Sequence, residues 1–260
     1  VGRVPKRRAL AWLGIALLWL ASVPSAAVPC AADRLDAEAE VASVLDGDTV
    51  VLADGRRVRL LGINAPELAR EERPAEPFSS AARRELERLL QAPARVGLRY
   101  EEERSDRYGR TLAHVFLADG TNVQKTLLER GLAAAIALPP NGWAWECYRA
   151  AETSARRAGR GIWGDARFRP RDARQVPEEA SGFWVVTGRV ARVGESGDAW
   201  WLNLPGGLAL RLPKEDLAGF GELAPRTLRG RQVEGRGWIQ RGRRDRWITV
   251  RHPAALAVIE

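Results

Sequence analysis

Between Glu40 and Glu67 the chain reads EVASVLDGDTVVLADGRRVRLLGINAPE, and no other stretch limits the fold so strongly. Apolar and polar residues alternate at the two-residue period of half-buried strands, with breaks at Asp46-Gly47 and Asp54-Gly55. Asp-Gly is a turn former because glycine reaches positive φ without a steric cost, so the stretch predicts three short strands joined by tight turns.

The elements that follow can be placed from their own signals. In PFSSAARRELERLLQAP, Ala82, Leu86, Leu89 and Leu90 recur at helical spacing behind an expected Ser79 cap, and Pro93 stops the run. RVGLRYEEE and TLAHVFLADG return to strand character. Asn122 caps a helix over NVQKTLLERGLA that ends at Gly131. A third helical stretch, WECYRAAETSARRAGRGIWG, closes at Gly159 and Gly161. The expectation is a mainly β, α+β unit over 38–169, a five-stranded barrel with three helices. Residues 170–181 are polar and contain proline, as linkers do. From 182 to 260 the chain is strand and turn, with five strand candidates and a short helical piece near Lys214 to Phe220, which predicts a second, OB-like barrel.

At 260 residues the chain is long enough for one large domain or two modest ones. The formal charge of +8, with a pI near 10.4, suits polyanionic partners, although a solvated arginine-rich surface gives the same balance. The first residues, VGRVPKRRALAWLGIALLWLASVPSAAVPC, run from a basic start through an apolar stretch to small residues at Ser25, Ala26 and Ala27. This is the layout of a secretory signal, expected over 1–27 with cleavage after Ala27. Export to the periplasm or beyond a bacterial cell follows, with no stable membrane association once the leader is gone. Two cysteines, Cys30 and Cys147, then meet an oxidising compartment, either bridged or as two free thiols.

Taken singly, Asp48 reads as a turn residue and Arg59 as a surface arginine. Taken together, Asp48, Asn64 and Glu67 stand at the ends of neighbouring strands, where their oxygens can converge on one hard cation. Arg107, Tyr108 and Arg110 occupy a turn entering a strand. Arg59 and Arg110, from separate segments, suit phosphate, because a guanidinium donates paired hydrogen bonds and keeps its charge.

LDGDTVVL, RVRLLGINAPE, SDRYGRTLAHVFLADG, NVQKTLLERGLA and AETSARRAGRGIW occur in the order of the thermonuclease family, and the chain resembles these staphylococcal nuclease-like enzymes from about Glu40 to Arg169. The resemblance implies a Ca²⁺-dependent endonuclease that hydrolyses DNA or RNA, preferably unpaired, to 3′-phosphate products. It implies Asp48 as first metal carboxylate, Asn64 as second ligand and the Ala65 carbonyl as a third. It also implies Glu67 as the residue that orients or deprotonates water, Arg59 and Arg110 as the phosphate clamp, and Arg107 and Tyr108 as substrate contacts. Two positions depart from the family pattern. Asn64 stands where a carboxylate is usual and supplies no negative charge, and Ala137 and Pro139 stand where base-stacking tyrosines are expected.

In the second barrel Trp184, Trp200, Trp201, Trp238 and Trp247, with the basic run RGRRDRW, suggest single-strand binding; core tryptophans and a solvated hairpin tip are the plainer reading. His114 and His252 read as structural or exposed. The expected whole is a monomeric exported nuclease. The alternative is a nucleic-acid-binding protein that keeps the fold with weak turnover or none because of Asn64.

Overall fold

The computed structural model describes residues 1–2, 30–70, 73–221, 223–243 and 245–259, so the expected leader lies, past its first two residues, outside the described residues. Among the described residues no helix is long and apolar enough to cross a membrane.

The meander forms as its turns require. β1 (Ala37–Asp46), β2 (Thr49–Leu52) and β3 (Arg57–Leu60) are successive antiparallel strands, and β4 (Ile63–Asn64) follows at once. β5 (Ala94–Arg99) and β6 (Thr111–Phe116) complete a closed barrel in the order β1-β2-β3-β6-β5, with β3 and β6 as its parallel pair. β7 (Ala134–Ala135) lies outside the barrel and pairs with β4. Helices α1 (Ser79–Leu90), α2 (Val123–Glu129) and α3 (Trp145–Arg157) pack on it. Val50, Val58, Leu60, Leu86, Leu98 and Leu127 are among the residues of their common core.

Asn122 caps α2 as expected, its side chain accepting the Lys125 N–H at 2.9 Å. Ser79 does not cap α1. It is the first helical residue and is buried, while the chain enters the helix through Phe78 at φ 66° with no side-chain cap. The turn from Glu76 draws Ser79 inward, its N–H donating to the Glu76 carbonyl at 3.2 Å. Gly47 is required for a different reason: a Cβ there would stand 2.6 Å from the Cβ atoms of both Ala65 and Ala82. The missing side chain lets α1 and the β4 segment close on the turn that bears Asp48. Cys30 and Cys147 are joined by a disulfide, which fastens the segment ahead of β1 to α3.

The C-terminal half is a second barrel-like sheet. β8 (Arg171–Asp172), β9 (Phe183–Arg189), β10 (Arg192–Ser196), β11 (Ala199–Asn203), β12 (Leu208–Pro213), β13 (Gln232–Arg241), β14 (Arg246–Thr249) and β15 (Leu256–Val258) are its strands. Their order is β10-β11-β12-β14-β13-β9-β8, with β15 on β13. β9 and β10 are two halves of one strand broken at Val190 and Ala191, so the path returns on itself, and β12 and β14 are parallel as β3 and β6 are. The stretch expected as a linker, 170–181, is packed: β8 pairs with β9, and Ala173 and Val176 are buried in the second core.

The two barrels meet over a third apolar cluster containing Ile162, Trp163, Phe168, Phe183 and Val185. An ion-pair network seals its edge. Arg236 of β13 donates to Glu152 of α3 at 2.6 Å and to Glu234 at 2.9 Å, while Arg156 of α3 donates to both Glu234 oxygens at 2.9 and 2.7 Å. Arg236 and Glu152 are buried, and burial of such charges is tolerated only when every one is paired.

Candidate active site

Strand register brings the polar residues together. Thr49 of β2 lies opposite Arg59 of β3, so Arg59 falls one rung from Asp48, which sits in the turn between β1 and β2. Val58 and Leu60 on either side point into the core, which turns Arg59 outward by the strand's two-residue period. Its guanidinium meets Asp48 at 3.0 Å and donates to the Leu60 carbonyl at 2.9 Å. The other partner of that Asp48 oxygen is the Ala65 N–H, at 2.8 Å, while the second oxygen accepts from the Thr49 hydroxyl at 3.1 Å. Gly62, at φ 80°, turns the chain after β3 into β4, and pairing with β7 fixes Asn64.

These side chains open into one cleft of about 1350 Å³. Asp48, Arg59, Asn64, Glu67, Arg107, Tyr108 and Arg110 all line it. Ala65 does not: it is buried behind Asp48, with its N–H turned to that carboxylate. Asn64 is 7% exposed, and its amide makes no hydrogen bond with any described residue, so it remains available to a ligand in the cleft. Glu67 stands apart from Asp48 at the exposed rim, its side chain 61% exposed and 3.7 Å from Arg70. Arg110 gives its Nε to Asp106 at 2.7 Å, which leaves both terminal nitrogens without a protein partner among the described residues. Arg107 donates to the Tyr108 hydroxyl at 2.6 Å, and the Tyr108 ring, 69% exposed, carries Arg107 4.8 Å from its centre.

Electrostatics distinguish the carboxylates. Burial pushes Asp48 up to about 6 against the pull of Arg59, and the neighbouring Asp46 carboxylate pushes the same way. For Asp106 burial is outweighed by the Arg110 N–H and guanidinium, which hold it below the usual range. Burial lowers His114 despite the adjoining Glu101 at 2.7 Å, and the ring links Glu101 to the Tyr148 hydroxyl at 2.8 Å. Asp48 and Asn64 offer only oxygen, which suits a hard cation, and of the two only Asp48 is a carboxylate, with Asp46 beside it as a second on the cleft wall. No group of three His, Cys, Asp or Glu side chains gathers as a metal site among the described residues.

Asp46 escaped the sequence reading. Its carboxylate accepts the Asp48 N–H at 3.1 Å and faces Arg70 at 3.4 Å on the cleft wall. The signal was present as the first aspartate of the DGD turn. Of the five tryptophans singled out in the second barrel, Trp184 is buried, and Trp201 and Trp247 pack edge to face at 5.9 Å with indole nitrogens enclosed. Trp200 is half-buried under Arg226. Trp238 alone of the five is exposed, and it lines the same cleft as Arg59.

A closed barrel whose rim gathers arginines and carboxylates in a single cleft defines a class of polyanion-handling proteins, and sequence comparison narrows it. The model of the family described as staphylococcal nuclease homologue matches residues 57–165. The thermonuclease of Staphylococcus intermedius is 39% identical over 127 residues, 47% of this chain and 74% of that protein. An uncharacterized endonuclease of Escherichia coli O157:H7 is 32% identical over 140 residues, 50% of this chain and 80% of that protein. The succinoglycan biosynthesis protein ExoI of Rhizobium meliloti is 36% identical over 155 residues, 58% and 71% of the two chains. The chain belongs to the staphylococcal nuclease homologue family.

Proposed function

We propose that this protein is an exported, Ca²⁺-dependent phosphodiesterase that cuts DNA or RNA, preferring unpaired strands, and leaves 3′-phosphate ends. The observation that carries the reading is the Asp48–Arg59 pair at 3.0 Å in a cleft shared with Asn64 and Arg110. Arg110, with its terminal nitrogens free, binds the scissile phosphate and stabilises the charge that builds on its oxygens. Arg59 joins it by exchanging its contact with Asp48 for the phosphate. Glu67, exposed at the rim, orients the attacking water and takes its proton. Arg107 and Tyr108 hold the strand beside the cut.

Asp48 and the unpartnered Asn64 amide would hold the cation, while Ala65, buried and off the cleft lining, is left out of the donor set. Bound there, Ca²⁺ supplies positive charge next to the reacting phosphate. Export rests on the leader-like sequence of 1–27 and agrees with the Cys30–Cys147 bridge, since Cys30 lies beyond Ala27 and stays in the mature chain. Purified mature protein should degrade single-stranded DNA with added Ca²⁺ and stop with chelator. DNA binding without cleavage in Ca²⁺, Mg²⁺ and Mn²⁺ would overturn the enzyme reading. The rival, a binding protein without turnover, draws on Asn64, which brings no charge to the donor set, and that result would favour it.

A further inference from the structure

The second barrel is not only attached to the first; one of its strands runs into the cleft. Along β13, Glu234, Arg236, Trp238 and Gln240 occupy alternate positions and so share a face. Glu234 and Arg236 are bonded to Arg156 and Glu152 of α3, which fixes that face toward the first barrel. The next two residues on the face, Trp238 and Gln240, emerge in the cleft that holds Asp48, Arg59 and Arg110. The Trp238 ring is 37% exposed and rests edge to face on Phe183 at 5.4 Å, and Phe183 is itself buried between the barrels. The ring is thus backed on one side and open on another. Among the described residues the exposed aromatic rings are Phe78, Tyr108 and Trp238, and the last two line this cleft.

A supported aromatic plane beside several arginines matches a ligand that is polyanionic and carries flat apolar rings. An unpaired nucleic-acid strand has both properties, its phosphates for the guanidiniums and its bases for the ring. A duplex keeps its bases stacked inside and offers the ring nothing. We infer that Trp238 is a base-stacking platform for a single strand whose phosphate lies at Arg59 and Arg110, so that the second barrel forms one wall of the substrate site. This rests on the phosphodiesterase reading for the position of the phosphate.

The test is binding of labelled single-stranded oligonucleotides in chelator, where no cutting confuses the signal, by fluorescence anisotropy. An ordinary strand and an abasic strand of equal length are compared on the full-length protein, wild type, Trp238→Ala and Trp238→Phe. Wild type should prefer the base-bearing strand by about 10-fold, Trp238→Ala should lose that preference, and Trp238→Phe should retain most of it. Abasic binding should be the same in all three. A wild-type protein that does not distinguish the strands, or a Trp238→Ala protein that distinguishes them as well as wild type, overturns the inference. Trp238-dependent binding without metal-dependent cleavage would instead sink the phosphodiesterase reading and leave the platform standing.

Discussion

Asp198 and Arg211 repeat in the second barrel the pairing of Asp48 with Arg59 in the first. Both aspartates follow a glycine in the turn after the first long strand, and both backbone carbonyls accept an N–H from the third strand's end, Leu60 at 2.9 Å and Lys214 at 2.7 Å. Arg211 meets Asp198 at 2.8 Å as Arg59 meets Asp48 at 3.0 Å. The rungs differ. Arg59 lies opposite Thr49, but Pro213 takes the matching place opposite Ala199, and Arg211 sits two residues earlier, on the rung that Arg57 holds in the first barrel. Burial differs more: the Asp48 side chain is 10% exposed and that of Asp198 83%. After Leu60 the first barrel turns through Gly62 into β4 and delivers Asn64, whereas after Pro213 the second enters a short 3-10 helix. The same strand order therefore carries the candidate site in one barrel and a solvated surface pair in the other. What makes the difference is the chain added around the barrel, not the barrel.

The largest test of that contrast is kinetic. Arg59→Ala should lower the cleavage rate by about 10³-fold, whereas Arg211→Ala should leave it within about 2-fold, measured as kcat on single-stranded DNA. Equal losses would mean that both barrels act. Next comes Arg236→Ala, which takes from Glu152 its buried partner and leaves it the Ala135 N–H and the longer 3.6 Å contact with Arg156. It should cost about 3 kcal/mol in urea unfolding, the low end for such breaks because Arg156 still holds Glu234. Arg211→Ala should leave the unfolding midpoint unchanged, since its partner is in water.

Asp48→Asn should destroy activity and yet stabilise the fold. With its folded value raised to about 6, Asp48 is favoured in its protonated form: its contribution is complete below the ordinary aspartate range and is lost as pH rises through about 6. The amide should therefore add ~1–3 kcal/mol at pH 8 and little at pH 4, by thermal unfolding. The smallest effect is expected for Asn64→Asp, which adds a ligand charge and should reduce the half-saturating Ca²⁺ concentration several-fold. An unchanged value would remove residue 64 from the ligand set.

Much of the first barrel is legible because its signals are local. Asp-Gly turns, the Asn122 cap and the Gly131 stop each act within a few residues, and all appear where the sequence puts them. Ser79 misled because a cap residue and a buried first-turn residue look alike until the helix has something to pack against. The cleft residues were found by their spacing, but not their arrangement: Asp46 braces Asp48 from two residues away, within reach of the DGD turn signal, whereas nothing local says that Arg59 would meet Asp48 across the strands. The likeness of the two barrels was hidden because the shared features are a rung pattern and a parallel pair, carried by unlike side chains. Trp238 belongs to the cleft only through packing between segments about 180 positions apart in sequence, so periodicity could mark its strand but not its neighbour.

Glu152 joins these themes. One of its oxygens receives Arg236 from the second barrel, and the other receives the Ala135 N–H at 2.6 Å, in the short strand that pairs with the one carrying Asn64. A single carboxylate is thus a shared bearing between the cleft floor and the neighbouring barrel. Anyone trimming the chain to its family-matched core would remove the load from one side of that bearing and leave the other side to settle. A shortened version would be a differently tensioned molecule rather than the same site without an ornament.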